Sequence, residues 1–279
     1  MKLPTISLIT PTRNQAAYLG ETIASVRAQD LPPIEWIVVD GMSTDATPEI
    51  LAAITDMPGL RIIREPDSGQ SDAIDKGMKV ATGEIVGWLN SDDLLLPGAL
   101  RAIAEAFAKH PDAVAMYGAG RKIDAAGATI KSVPARPFDR ERLRTALYML
   151  QPATFFRRTD YLEVGGLDHD LHYAMDWELL LRLSRRGEIV AIEQELACLR
   201  CYPGTKTEEG GWDRLAEIAQ IGKRFNGSFD PNHISYVLRR AAAGSDWSLM
   251  RRAIDHILWL MYRRQSLMVV GWPSGRPRK

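Results

Sequence analysis

Short apolar runs alternate with amphipathic stretches along the first half of the chain. The first run, Ile6-Ser7-Leu8-Ile9, reads as a strand closed by Thr10-Pro11-Thr12-Arg13-Asn14. From about Ala17 to Ala28, Leu19, Ile23 and Val26 recur at helical spacing. Trp36-Ile37-Val38-Val39 is a second strand ending in Asp40-Gly41, and Ser43-Thr44-Asp45 starts a helix carrying Ile50, Leu51 and Ile54. A third strand, Leu60 to Ile63, runs into Glu65-Pro66-Asp67-Ser68-Gly69, with a helix over about Ser71 to Ala81. A fourth run through Trp88 and Leu89 stops in Asn90-Ser91-Asp92-Asp93, before a helix from about Gly98 to Lys109 and a strand from Ala113 to Tyr117. Apolar strands alternating with helices predict a doubly wound α/β fold, a mostly parallel sheet covered on both faces.

The ends of these strands carry the candidate chemistry. In a parallel sheet the carboxyl ends share one edge, where ligands bind. The clusters Thr10 to Asn14, Asp40 to Ser43, Asp67 to Gly69 and Asn90 to Asp93 therefore converge. Asp92 and Asp93 supply hard oxygen ligands suited to magnesium or manganese against a diphosphate. A helix cap is the simpler account of one Asp pair, but acids recurring at other strand ends favour a site. Neither G-x-G-x-x-G nor G-x-x-x-x-G-K-[ST] is present to hold phosphates, which leaves a metal held by acids as the common alternative.

Composition narrows the class. The 279 residues, 46% hydrophobic and 25% charged, suit one large globular domain with a small appendage. A net charge of +0 gives no basic field for nucleic acid. Met1-Lys2-Leu3-Pro4 leads into a strand without a signal-peptide core, and no apolar run reaches the roughly 18 residues of a membrane span. A cytoplasmic protein is expected. Cys198 and Cys201 lie in a strand-like run without a second ligand pair, so they are read as reduced thiols.

The polar strand ends, in order, resemble those of the family 2 glycosyltransferases with a GT-A fold. The resemblance rests on Ile6 to Asn14, Trp36 to Thr47, Glu65 to Gly77 and Trp88 to Asp93, then on Gln151 to Phe156, Gly165 to Asp168 and Met175 to Leu183. It extends to about Thr207 and implies three regions. Residues 1–93 would form a nucleotide-sugar-binding half and 94–208 an acceptor and catalytic half, followed by a helical region over 209–279.

The resemblance also implies roles. Asp40 would accept a hydrogen bond from the nucleotide base, with Pro11, Thr12 and Asn14 lining the same pocket. Asp67 would contact base or ribose, with Gly69 allowing close backbone approach. Asn90-Ser91-Asp92 resembles the family's D-x-D motif with Asn first. Asn90 and Ser91 would then face the donor, and Asp92, with Asp93 as ligand or support, would hold Mn2+ or Mg2+. Asp176 would be the general base of an inverting displacement. Trp177 and Gln151 are each open between pocket and structural roles. Tyr202 stands where the family often has a metal-binding His, and Lys206 could meet a phosphate instead. His169 and His172 are read as acceptor contacts or exposed residues.

The expected activity is transfer from a UDP-sugar or other nucleotide-sugar donor to a carbohydrate or lipid-linked acceptor, in bacterial polysaccharide or glycoconjugate synthesis. The alternatives are a sugar-phosphate nucleotidyltransferase, which would want a Gly-rich basic loop after the first strand, and a non-catalytic nucleotide-sugar-binding module. Helices are expected at Trp212 to Phe225, Pro231 to Ala243 and Asp246 to Arg264. The basic end from Arg251 to Lys279 could lie on anionic lipid at the inner face of the membrane or pack on the catalytic domain.

Overall fold

The computed structural model describes residues 2–227. The chain divides into two units, 1–209 and 210–279. Of the second, only the helix Gly211–Asn226 is described, at the predicted position of Trp212 to Phe225. The other two predicted helices and the basic tail lie outside the described residues.

The first unit is built on one curled sheet. Its leading strands are β1 (Ile6–Thr12), β2 (Glu35–Asp40), β3 (Leu60–Arg64) and β4 (Ile85–Trp88). They are joined by helices α1 (Ala16–Arg27), α2 (Thr47–Ala52) and α3 (Gln70–Val80). The second half adds β5 (Leu94–Leu95), α4 (Ala99–Lys109), β6 (Ala113–Ile123), β7 (Thr129–Val133), α5 (Arg140–Thr145) and β8 (Thr154–Arg157). It ends with α6 (Arg158–Glu163), α7 (Met175–Leu183), β9 (Glu188–Arg200) and α8 (Lys206–Glu209).

The strand order is β3-β2-β1-β4-β8-β6-β9-β5, with β7 beside β6. All pairings among β1 to β4 are parallel. Beyond β4 the sheet is mixed: β8 runs antiparallel to β4 and β6, while β9 runs parallel to β6. Because β1 lies between β2 and β4, the order in which strands are added along the sheet reverses there, and the carboxyl ends of β1 and β4 flank a crevice of the kind that binds ligands.

Side-chain alternation covers both faces. Ile6 and Leu8 of β1, with Trp36 and Val38 of β2, join one core with Leu19, Ile23 and Val26 of α1 and with Leu100, Ile103 and Phe107 of α4. Ile9 faces the other way, close against Gly77 of α3. Strand β6 runs six residues past its predicted end at Tyr117 to Ile123. Gly118 and Gly120 look like breakers in sequence, but they let β9 come close: a Cβ at Gly120 would lie 2.4 Å from the Ala197 carbonyl oxygen.

Strand β4 accepts the Phe155 ring directly over Gly87, where an added Cβ would meet ring carbon Cδ1 at 2.5 Å. Gly87→Ala is therefore expected to cost about 1–3 kcal/mol by overpacking. Urea denaturation checks this; unchanged stability would mean that the ring moves freely.

Candidate functional site

The crevice opens into a cavity of about 430 Å3. Pro11 and Thr12 enter from the end of β1, and Asp67 and Gly69 from the turn before α3. Asn90, Ser91, Asp92 and Asp93 come from the turn after β4, and Met175 and Asp176 from the start of α7. The loop between β9 and α8 closes one side with Tyr202 and Lys206. Strand ends far apart in sequence are thus brought together by the parallel topology.

The two adjacent acids differ sharply. Asp93 is 2% exposed, and its oxygens are both engaged: the Arg200 N–H donates to Oδ1 at 2.8 Å and Asn90 Nδ2 to Oδ2 at 2.9 Å. Asp92 is half-buried, and its Oδ2 accepts the Tyr202 hydroxyl at 3.0 Å. Burial pushes the Asp92 carboxyl above its ordinary value, a rise that the Tyr202 bond opposes. Burial and the neighbouring Asp92 charge push Asp93 well above it. Tyr202 is itself raised, first by burial and then by the Asp92 charge, so its hydroxyl stays a donor.

Arg200 holds this turn from beneath. Its side chain is unexposed. Nε donates to the Asp92 carbonyl at 2.9 Å, Nη1 to the Ala125 carbonyl at 2.9 Å, and Nη2 to Glu21 Oε2 at 2.7 Å. Its guanidinium also lies 4.7 Å from the centroid of the Tyr18 ring, which in turn packs 4.7 Å from Tyr202. The sequence pattern places Arg200 at the head of the loop carrying Tyr202 without giving it a role, and it gives no sign of Tyr18 or Glu21, because their partners are distant in the chain.

A second network crosses the cavity floor. Lys206 Nζ donates to Gln70 Oε1 at 3.0 Å, and Gln70 Nε2 to Asn90 Oδ1 at 2.7 Å. Asn90 Nδ2 also reaches Gln151 Oε1 at 3.2 Å, and Gln151 Nε2 the Trp88 carbonyl at 2.8 Å. Gln151 therefore both opens a turn and lines the cavity. Gln70 had not been singled out.

Asp40 and Asn14, expected beside the nucleotide, are not among the residues that line this cavity. Asp40 is 0% exposed; Oδ1 accepts the Ser43 N–H at 2.9 Å and Oδ2 accepts Arg64 Nε at 3.0 Å. Asn14 sits at φ 54°, and its Oδ1 accepts the Thr44 N–H at 2.8 Å. Both are occupied in fastening the β1 and β2 turns together. Asp67 does line the cavity, and its carboxylate presses on Gly41, where a Cβ would stand 2.1 Å from Oδ2. Gly69 adopts φ 138°, a conformation that favours glycine, and its N–H donates to Asp67 Oδ1 at 3.0 Å.

Asp176 occupies the first turn of α7, where the helix dipole favours a carboxylate. The loop leading to it is pinned at its start. Arg182 bonds Glu178 and donates to the carbonyls of Val164 and Gly166 at 2.6 and 2.7 Å. Asp75 accepts the Tyr161 hydroxyl at 2.5 Å and stands 2.8 Å from His169 Nε2. His169 is thus tied to α3, whereas His172 lines the cavity. Trp177 has a core role: it is 2% exposed and its indole N–H donates to the Leu143 carbonyl.

Among the described residues, four buried side-chain polar atoms have no hydrogen-bond partner: Thr12 Oγ1 and Trp88 Nε1 belong to cavity residues, whereas Arg157 Nη2 and Arg158 Nε do not. Buried polar groups are ordinarily satisfied, so the two atoms beside the cavity suit a polar ligand.

Two raised carboxylates side by side have a stability consequence. A carboxyl whose folded pKa is raised binds its proton more tightly folded than unfolded, so stability falls as pH climbs through and above 3.8. Asp92→Asn keeps an acceptor for Tyr202 and removes one charge. Without added metal it is expected to be more stable than wild type at pH 7 by roughly 1 kcal/mol, a typical active-site trade-off, with the gap closing toward pH 3.8. Thermal denaturation across pH checks this; a gap independent of pH would contradict the charge account.

Comparison with known proteins gives concordant results. The family model described as glycosyl transferase family 2 matches residues 7–165. The chain is 28% identical over 189 residues to a chondroitin synthase of Pasteurella multocida, covering 67% of this chain but 20% of that protein. It is 30% identical over 196 residues to a PGL/p-HBAD biosynthesis glycosyltransferase of Mycobacterium tuberculosis, covering 68% of this chain and 73% of that one. The chain thus spans about a fifth of the synthase. S. aureus TarS 1-349 in complex with UDP-GlcNAc superposes with a TM-score of 0.69 at 18% identity, covering 94% of this chain and 83% of that one. Mannosyltransferase PcManGT from Pyrobaculum calidifontis, in complex with GDP-Man and Mn2+, gives 0.61 at 20% identity, covering 96% and 84%. At these identities the superpositions establish the GT-A fold.

Proposed function

The chain belongs to glycosyl transferase family 2, and from that membership we propose that it moves a sugar from a nucleotide-sugar donor, a UDP-sugar in the first instance, to an acceptor hydroxyl with inversion. The observation that carries this reading is the meeting of Asp67, Asp92 and Asp176 on one cavity at the carboxyl ends of β1 and β4. The UDP-GlcNAc complex of the similar TarS supports the donor class.

We assign the nucleoside to Pro11, Thr12, Asp67 and Gly69, with Asp40 and Asn14 holding the wall behind them. Thr12 Oγ1 is available to a donor hydroxyl. Asn90 and Ser91 border the ribose and diphosphate. Lys206, held by Gln70, brings positive charge to the same edge.

A divalent metal fits this donor set in one form only. Among the described residues no three or more His, Cys, Asp or Glu side chains gather as a cage. Asp92 alone presents its carboxylate, with Asp93 turned to Arg200 and Asn90. One carboxylate plus substrate phosphates is an ordinary arrangement for Mg2+, and the raised carboxyls of the pair would be eased by a cation. When bound, Mn2+ or Mg2+ supplies positive charge against the leaving diphosphate.

Asp176 accepts the proton of the attacking acceptor hydroxyl, giving a single displacement at the anomeric carbon. The clamped loop before α7 keeps that carboxylate in place, which matters because small misplacements of a base are costly. The family match ends before Asp176, so its role rests on its place in the cavity. The acceptor is a carbohydrate or lipid-linked glycan of bacterial surface polysaccharide or glycoconjugate synthesis. We place the enzyme in the cytoplasm; the basic residues from Arg251 to Lys279 would suit either an anionic membrane surface or packing on the catalytic domain. Among the described residues no helix is long and apolar enough to cross a membrane.

Three measurements test the assignments. Calorimetric titration with UDP, GDP and dTDP, with and without manganese, should give tight, manganese-assisted binding of one nucleotide; no binding of any would refute the donor site. Asp176→Asn should bind that nucleotide as wild type does but lose about 10²- to 10⁴-fold in turnover. Wild-type turnover in that variant would remove Asp176 from the mechanism. Gly41→Ala, which drives a carbon into the Asp67 carboxylate, should instead weaken nucleotide binding several-fold, about 1 kcal/mol; unchanged affinity would take Asp67 out of the nucleoside pocket.

A further inference from the structure

Among the described residues, two cations on the cavity wall, Arg13 and Lys122, have no part in the donor site. Lys122, near the end of β6, is half-buried and lines the cavity together with Leu199, its neighbour on β9. Among the described residues it makes no hydrogen bond or ion pair. Its antiparallel partner on β7 is Lys131, likewise unpaired and exposed. Directly opposed residues share a face of the sheet with Cβ atoms about 5 Å apart, and like charges there repel. A structure with no ligand to serve would be better off with a carboxylate in one of these places.

The neighbouring acids are committed elsewhere. Asp124 accepts the N–H groups of Ala126 and Ala128, Asp139 accepts that of Arg142 at the start of α5, and Glu141 pairs with Arg144. Arg121, on the opposite face, is neutralised by Glu195. From Arg121 to Arg144 the sequence carries seven basic and three acidic residues, although the whole chain is neutral. The β6–β7 pairing also slips between Lys122 and Ile123. Such bulges re-aim side chains beside functional sites.

We propose that Lys122 and Lys131 form an anion-binding subsite for the acceptor, which therefore carries a phosphate or carboxylate group. The inference rests on the glycosyltransferase reading of the cavity and adds a substrate class to it. An anionic acceptor would neutralise the opposed lysines while its hydroxyl reaches toward Asp176 on the same cavity.

The test uses the full chain saturated with UDP and Mg2+, so that the donor diphosphate site is filled. Inorganic phosphate, glucuronate and neutral glucose are titrated in turn, followed by amide signals of β6 and β7. Saturable shifts are expected with phosphate or glucuronate and not with glucose, and which anion binds more tightly identifies the acceptor group. Lys122→Gln and Lys131→Gln should each weaken that binding by about fivefold, the scale of one exposed charge contact, while UDP affinity stays within about twofold. Equal shifts with glucose, no shift with either anion, or undiminished binding in Lys122→Gln would overturn the proposal. A tenfold loss of UDP affinity in Lys122→Gln would overturn it too, by assigning the lysine to the donor. Failure of UDP to bind even wild type would count against the donor reading alone, since the anion titrations of wild type and variants can still be compared.

Discussion

The site depends on one buried guanidinium. Arg200 ends β9 and reaches three segments at once: Glu21 on α1, the Asp92 carbonyl after β4, and the Asp124 and Ala125 carbonyls between β6 and β7. Its own backbone N–H fixes Asp93. A planar fork with five donors can satisfy such a set, whereas a lysine ammonium has three donors and no plane. The geometry of Asp92 is thus set by the strand that carries Tyr202 just beyond it. Loop and acid turn are one mechanical unit, so any ligand that moves the loop alters the acid turn.

That unit is costly to maintain. Two adjacent carboxylates are buried enough for both to rise above their ordinary range, and Thr12 and Trp88 leave polar atoms unpaired beside the cavity. Elsewhere the fold is conventional, with apolar strand faces, an α1 stripe at helical spacing and a α3 that packs without a Cβ at Gly77. The raised acid pair and two of the four unpartnered buried atoms lie together at the cavity, a combination that suits a site selected for binding rather than for stability.

Much of this was legible in the residues. Strand ends with acids, read against parallel topology, located the cavity, and Pro11, Thr12, Asp67, Gly69 and Asn90 to Asp93 all line it with Asp176. Asp40 and Asn14 were placed on the right turns but turn away, because whether a carboxylate meets a ligand or its own loop depends on Ser43 and Arg64. Trp177 could be core or pocket until Leu143, 34 positions away, supplied its acceptor. Arg200 and Gln70 lay in stretches that carry the resemblance but without a role, and Lys122 had no pattern around it. Each acquires meaning only from partners across the sheet, which periodicity and motif do not encode. Strand β6 continues past Tyr117 because Gly118 and Gly120 admit β9 at close range, a pairing that the local sequence does not encode.

Tyr202 bears on how a metal would enter. An imidazole there could ligate directly, but a phenol held protonated by burial and the Asp92 charge donates a hydrogen bond to the carboxylate instead. On the proposed reading, Asp92 then offers the ion a single protein carboxylate, and the remaining ligands must come from the diphosphate and water. Metal and nucleotide would each strengthen the binding of the other, since neither has a complete partner set alone, and linkage requires that strengthening to be equal in both directions. Departure of the nucleotide diphosphate would release the ion with it. The Tyr202 hydrogen bond would remain on Asp92 between turnovers, holding the acid turn in place for the next donor.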